Sequence, residues 1–116
     1  MPAVGQMLND AEIATVLKRM ERDAGRQLPM GSPLSMVVAV QAGPGRMFTY
    51  RSVQTVPAYE WTASMKQHSR RIAINDYCTN PGLSEFKAQQ VTVSWIVSDI
   101  DGRHVTTNTI SASMCR

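Results

Sequence analysis

Hydrophobic positions recur along this chain with two different periods. Between Asn9 and about Ala24, the residues Ile13, Val16, Leu17, Met20 and Ala24 return at intervals of three and four, which predicts an amphipathic helix. Asn9 is a good N-cap, Glu12 three residues on completes a capping-box pattern, and Leu8 and Ile13 stand at the staple positions. Gly25 is expected to supply a left-handed stop. The stretch Leu28-Pro29-Met30-Gly31-Ser32-Pro33 is too rich in Pro and Gly to continue a helix. Met36 to Val40 then forms a short apolar run with β-branched weight and predicts a well-buried strand. Gly43-Pro44-Gly45 reads as a hairpin turn, with 46–53 as the return strand. Alternation puts Phe48 and Tyr50 on one face of that strand, and Met47, Thr49 and Arg51 on the other.

The helical period returns after Pro57, which suits the first turn of a second helix. Ala58, Trp61, Met65, His68 and Ile72 describe one apolar stripe, and the helix ends near Tyr77-Cys78, before Thr79-Asn80-Pro81-Gly82. Leu83 to about Gln89 reads as one or two further helical turns. The last third alternates strictly: Val91, Val93, Trp95 and Val97 against Thr92, Ser94, Ile96 and Ser98. Asp101-Gly102 is the favoured pair for a two-residue type I′ turn. With those two residues as the loop, Val93 faces Ile110, Val91 faces Ala112, Trp95 faces Asn108 and Val97 faces Thr106. Thr92, Ser94, Thr107, Thr109 and Ser111 make the opposite side polar, as in a sheet with one wet face. The expected fold is therefore α+β and two-layered. An antiparallel sheet of about four strands packs against a long helix, in the order α-β-β-α-β-β.

Length fixes the scale of this arrangement. A chain of 116 residues makes one domain, 1–116, with residues 1–8 read as a flexible N-terminal segment. No run approaches the ~18 apolar residues of a membrane span, and MPAVGQMLND lacks the basic start and apolar core of a signal peptide. The net charge of +3 says little about partners, because the basic residues are dispersed. None of the aromatic residues sits in a basic strand pattern suited to stacking bases, so nucleic acid is not an expected partner.

Candidate chemistry thins out on inspection. Gly43-Pro44-Gly45 lacks the Lys and Ser/Thr of a phosphate loop. Asp99 and Asp101 are followed by Gly102, Arg103 and His104 rather than by calcium ligands, and they read as turn formers. His68 and His104 do not make a metal signature, and no serine lies in a nucleophile-elbow sequence. The expectation is a non-enzyme with no cofactor and no metal. Tyr50, Trp61, His68 and Trp95 read as core residues, His68 packed and hydrogen-bonded among them. In the alternative reading they converge on a pocket between sheet and long helix, in a small ligand-binding or catalytic domain.

The cysteines carry more. Cys78 ends the long helix and Cys115 is penultimate, where a chain end gains from being tied down. Two separate buried thiols are the alternative in a reducing compartment. A bridge is favoured, and with it an oxidising location on the periplasmic or extracellular side of a cell envelope, a signal or lipoprotein leader having been removed.

Tyr77-Cys78-Thr79-Asn80-Pro81, then Phe86, Val93-Ser94-Trp95, Asp99-Ile100-Asp101-Gly102 and Cys115 together form a pattern over residues 46–116. It resembles that of small secreted or lipid-anchored proteobacterial proteins with a paired-cysteine C-terminal hairpin, some of them similar to immunity proteins against type IV secretion effectors. The resemblance implies that Cys78 and Cys115 are the paired cysteines and Asp101-Gly102 the hairpin turn. It also implies a protein partner, either an effector or a component of a secretion or conjugation system. Exposed Arg51, Arg70 and Arg71 are the candidate partner contacts. Self-association through the polar sheet face or an open edge strand stays open.

Overall fold

Asn9 acts as its position predicts. In the computed structural model, which describes residues 7–32 and 34–115, the Asn9 side chain accepts from the Glu12 N–H at 2.8 Å, and the Glu12 carboxylate accepts from the Asn9 N–H at 2.9 Å. Helix α1 (Asp10–Gly25) follows and buries Ile13 and Leu17. Its end differs from expectation. Gly25 is the last helical residue rather than a left-handed stop, and the cap is Arg26 at φ −72° and ψ −18°. Arg26 stays right-handed and the Gln27 N–H donates to the Ala24 carbonyl at 2.9 Å, so no left-handed residue is needed.

The sheet has five strands, one more than the alternation predicts. They are β1 (Met30–Ser32), β2 (Ser35–Ala42), β3 (Met47–Gln54), β4 (Thr92–Asp99) and β5 (His104–Ile110), in spatial order β1-β2-β3-β4-β5. β1 is three residues inside the Pro/Gly stretch, too short to show a period. Gly31, at φ +118°, lets it pair, since a Cβ there would lie 2.5 Å from the Ser35 carbonyl oxygen. The sheet is also mixed rather than antiparallel, because β3 and β4 run parallel, Met47 beside Thr92 through Gln54 beside Asp99. The cause is the long helix between them, a crossover that carries the chain back so that β4 starts at the same end as β3. The β2 run is only half-buried, not well buried. A register shift between Val37 and Ala39 turns Val38 outward, and Ala42 alone is buried.

Three rows of side chains cross the covered face of the sheet. Ala42, Phe48, Val93 and Ile110 are in register and buried, and with Ile13, Leu17, Ala73, Tyr77 and Phe86 from the helices they form the core. Phe48 lies 5.3 Å from both Tyr50 and Phe86 in edge and tilted ring contacts, each pair contributing about 0.5–1.5 kcal/mol. The second row, Val40, Tyr50, Trp95 and Asn108, is partly polar. The third, Val37, Ser52, Val97 and Thr106, is only half-buried. Burial therefore thins across these three rows and returns beyond them at Gln54 and Asp99. The opposite sheet face is polar, with Thr107 and Thr109 exposed and the Ser94 and Thr109 hydroxyls 3.1 Å apart.

Strands β4 and β5 keep the expected register from Val93–Ile110 to Val97–Thr106, but not the expected turn. The loop is three residues, Ile100 to Gly102, closed by the Asp99 N–H to the Arg103 carbonyl at 2.9 Å, with Gly102 left-handed at φ +82°. Ser98 then pairs with His104, and one extra residue, Val105, restores the register. The longer loop and the bulge cancel. Asp99 explains the choice: its buried carboxylate accepts from the Asp101 N–H at 3.0 Å and the Arg103 N–H at 2.9 Å through Oδ1. Through Oδ2 it accepts the Ala58 N–H at 2.9 Å, so it also holds the segment that leads into the crossover helix. These three bonds from backbone N–H groups hold the Asp99 carboxyl below its usual pKa, that of Ala58 most of all, with the Arg103 charge adding to the effect.

The second helix starts later than Pro57 suggests. Residues Ala58–Glu60 form a 3₁₀ turn, and α2 (Ala63–Thr79) begins after Thr62, whose hydroxyl accepts from the Met65 N–H at 3.1 Å. Asn80 ends it, and a 3₁₀ turn (Pro81–Leu83) leads into α3 (Ser84–Ala88). The Tyr77 hydroxyl donates to the Val91 carbonyl at 2.7 Å, and burial raises the pKa of that phenol. Cys78 and Cys115 form a disulfide, Cα atoms 5.5 Å apart, which ties the chain end to the last turn of α2. Residues 1–6, most of the segment read as flexible, lie outside the described residues. Leu8 is anchored, its N–H donating to Gln89 Oε1 at 2.8 Å and its carbonyl accepting from Arg46 Nη2.

Two outcomes follow from these ties. The bridge closes a loop over a separation of 37 residues, which in the chain-entropy account stabilises the fold by about 4 kcal/mol. Cys78→Ser with Cys115→Ser should therefore lower the thermal midpoint markedly, and reductant should do the same to the wild type and nothing to the double variant. For Asp99 the depressed pKa sets the sign: its stabilisation is complete above the ordinary carboxylate range and is lost as pH falls through the lower folded value. Chemical denaturation as a function of pH should show Asp99→Asn weaker than wild type at neutral pH, with the gap closing in acid. A constant gap at every pH would refute the role given to the ionised carboxylate.

Candidate functional site

Helix α2 meets the sheet along one ridge. Met65, Ser69, Ala73 and Tyr77 are spaced by four, and burial deepens along them from half-buried Met65 and Ser69 to buried Ala73 and Tyr77. Rows of that spacing are inclined to a helix axis, so a helix crossing a sheet obliquely makes contact along one. Small Ser69 and Ala73 let the helix lie close, and Asn108 Nδ2 donates to the Ser69 hydroxyl at 3.0 Å.

The apolar stripe expected to face the core diverges from this ridge. His68 is exposed and Ile72 is 55% exposed. With Trp61, Met65 and Ser64 they line a depression of ≈ 460 Å³ on the open side of the helix. Trp61 is half-buried at the end of the 3₁₀ turn that Asp99 holds, and among the described residues its buried indole Nε1 has no hydrogen-bond partner. A buried donor left unpaired costs about 1–3 kcal/mol, so apolar contact, not a hydrogen bond, keeps the ring in place. His68 is thus exposed rather than packed in the core, and among the described residues it has no hydrogen-bond partner. The sequence signal was sound but its assignment was not, because apolar spacing identifies a stripe without saying which side of the helix meets the sheet.

A second cleft of ≈ 240 Å³ continues from the first through Ser69 and Ile72 and runs down to the sheet. Its floor comes from the two outer rows, Trp95 and Asn108 from one and Ser52 and Val97 from the other, with Asp76 of α2 on its wall. It opens where burial thins. Tyr50 stacks on Trp95 with centroids 5.8 Å apart and planes at 12°. Burial raises the Tyr50 pKa, and the negative charge of Asp76 raises it further.

The four aromatic and histidine candidates therefore divide. Tyr50 and Trp95 form a half-buried stacked pair at the margin of the core, and Trp61 and His68 line the outer depression. The three arginine candidates are all exposed but do not share a surface. Arg51 is on the polar sheet face between Ala39 and Ile96, away from α2. Arg71 stands three residues from His68, beside the groove, and Arg70 is turned further around the helix. Asp76 and Ile72 are groove residues that sequence reasoning did not single out for function. Among the described residues, no group of three or more His, Cys, Asp or Glu side chains is placed to hold a metal ion, and no helix is long and apolar enough to cross a membrane.

No protein-family model matches the chain, and no curated protein sequence matches it. Solved structures do resemble it. A Pseudomonas aeruginosa protein inferred to be secreted superposes with a TM-score of 0.79 at 16% identity, over 96% of this chain and 99% of that one. The type II secretion system pilotin EpsS of Vibrio vulnificus gives 0.77 at 9% identity, over 92% and 94%. The type II secretion system pilotin AspS of Vibrio cholerae gives 0.74 at 10%, over 91% and 94%. At these identities the likeness is one of fold, and it extends over almost the whole of each chain.

Proposed function

We propose that this chain is a non-catalytic protein of the bacterial cell envelope that works on the periplasmic side and binds a protein of a secretion system through the groove along α2. The observation that carries the reading is the apolar lining of the outer depression, exposed Ile72 with half-buried Trp61 and Met65, beside a helix whose other side is fixed to the sheet. Exposed apolar surface gathered in a groove is the usual form of a protein-docking site. The likeness in fold to two type II secretion pilotins supports a secretion-system partner. The Cys78–Cys115 disulfide suits an oxidising compartment. Of the two roles that the sequence resemblance implies, an immunity factor against type IV effectors and a secretion-system component, the fold favours the second.

Because Ile72 is more than half exposed, Ile72→Glu should change folding stability by no more than about 0.5 kcal/mol while abolishing partner capture. The check is in-cell photocrosslinking from a probe at Met65, with mass-spectrometric identification of the adduct. A secretion-system subunit crosslinked in the wild type and absent in Ile72→Glu is the expected result. The same adducts in both chains, or none that belongs to a secretion system, would count against the reading.

A further inference from the structure

The inner cleft carries a charge with no counter-charge. Asp76 is half-buried on its wall, and among the described residues it has no ion-pair partner. Asn80 Nδ2 donates to Asp76 Oδ1 at 3.0 Å. Among the described residues Oδ2 has no hydrogen-bond partner, and Trp95, which stacks on Tyr50, lines the same cleft. The position is also unfavourable for the helix. Asp76 is three residues before the end of α2, where the aligned peptide dipoles disfavour an anion, and the last turn of α2 contains no basic residue. Lys87 Nζ reaches this end of the helix, but it donates to the Cys78 carbonyl at 2.9 Å. Other titratable groups near the groove are the Tyr50 phenol stacked on Trp95, which the Asp76 charge reaches, and His68 in the outer depression. A half-buried carboxylate with no ion-pair partner among the described residues, on the wall of a cleft floored by an aromatic ring, has the chemistry of a receptor for a cation.

Resting on the groove reading above, we propose that the segment bound there is a peptide with an apolar face and one arginine or lysine at its end. The apolar face lies along Trp61, Met65 and Ile72, and the cation enters the inner cleft to pair with Asp76 and stack against Trp95. A guanidinium fits best, since its planar fork can bond Oδ2 and lie on the indole at once. The outer depression supplies affinity for any apolar segment, and the inner cleft selects the one with a positive charge at the right distance.

Selection of a random 16-residue peptide display library on the intact protein tests this. Peptides that bind the wild type should be apolar and enriched in Arg or Lys at a fixed spacing from the apolar anchors, and those selected on Asp76→Asn should keep the anchors and lose the enrichment. For one selected peptide made synthetically, replacing its Arg by citrulline should weaken binding to the wild type about tenfold, the size of one charge-assisted bond, and leave binding to Asp76→Asn unchanged. Asp76→Asn should also melt at the wild-type temperature or about 2–4 °C above it, because it removes an anion from a helix end. Citrulline and arginine peptides that bind the wild type equally would overturn the inference while leaving the apolar groove in place. Selected peptides that bind Ile72→Glu as well as the wild type would remove the groove reading and this inference together.

Discussion

A parallel pair of strands obliges the chain to travel back the full length of the sheet, and the rest of the molecule is arranged around that return. Seventeen residues of α2 span about 25 Å, and eight residues of β3 or β4 span about 26 Å. The crossover helix is therefore as long as the strands it joins, and the rest of the connection forms the short turns and α3 at its two ends. Both of its ends are tied to the C-terminal hairpin. At the start, the Asp99 carboxylate takes the Ala58 N–H, and at the finish the Cys78–Cys115 bridge takes the last turn. The hairpin is thus the frame on which α2 is stretched, and the core row from Ala42 to Ile110 fills the space beneath its C-terminal half.

What α2 leaves uncovered follows from how it is laid. Contact along Met65, Ser69, Ala73 and Tyr77 consumes one ridge, and deepening burial toward Tyr77 means that the N-terminal half stands off the sheet. Beneath that half lie the two outer rows, where Trp95 makes a floor and the side chains around it, Ser52, Ser69 and Asn108, are too small to fill the gap. The groove is therefore a consequence of row composition and helix inclination together. Replacing Ser52, Ser69 and Asn108 by larger apolar residues would close it, at the cost of the Asn108–Ser69 bond that now joins α2 to β5.

Local rules made much of this legible, and where they failed they failed for identifiable reasons. The capping box at Asn9 and Glu12 could be read because it is a two-residue signal confined to four positions. The register of β4 and β5 could be read because one face must be apolar, and that demand survived a turn of the wrong length: the Asp99 loop adds a residue, the bulge at Val105 adds one opposite, and Val93 still meets Ile110. β1 offered no period to see, being three residues with a glycine in the middle. The parallel pairing of β3 with β4 was invisible because each hairpin looks self-sufficient in sequence, and only the length of the helix between them hints at a crossover. The groove was hidden by the same logic that finds cores. A stripe of Trp61, Met65, His68 and Ile72 satisfies the rule for a buried face, and nothing in its spacing reveals that a ridge of small residues, Ser69 and Ala73, makes the actual contact.

The two ties at the ends of α2 also bear on how tightly anything can bind there. An occupant that reaches from Trp61 to Asp76 must span fifteen residues of helix, about 22 Å. That is four turns of a docked helix or about seven residues of extended chain. A groove of that length on a frayed helix would have to be ordered at each binding event, with a cost of roughly 1–2 kcal/mol for every residue fixed. Here Trp61 is set by the Asp99-held turn and Asp76 stands two residues from the bridged Cys78, so both ends are in place beforehand. Loss of either tie should therefore weaken binding without touching a contact residue, and the disulfide contributes to recognition by fixing the distance between the apolar end of the groove and its charged end.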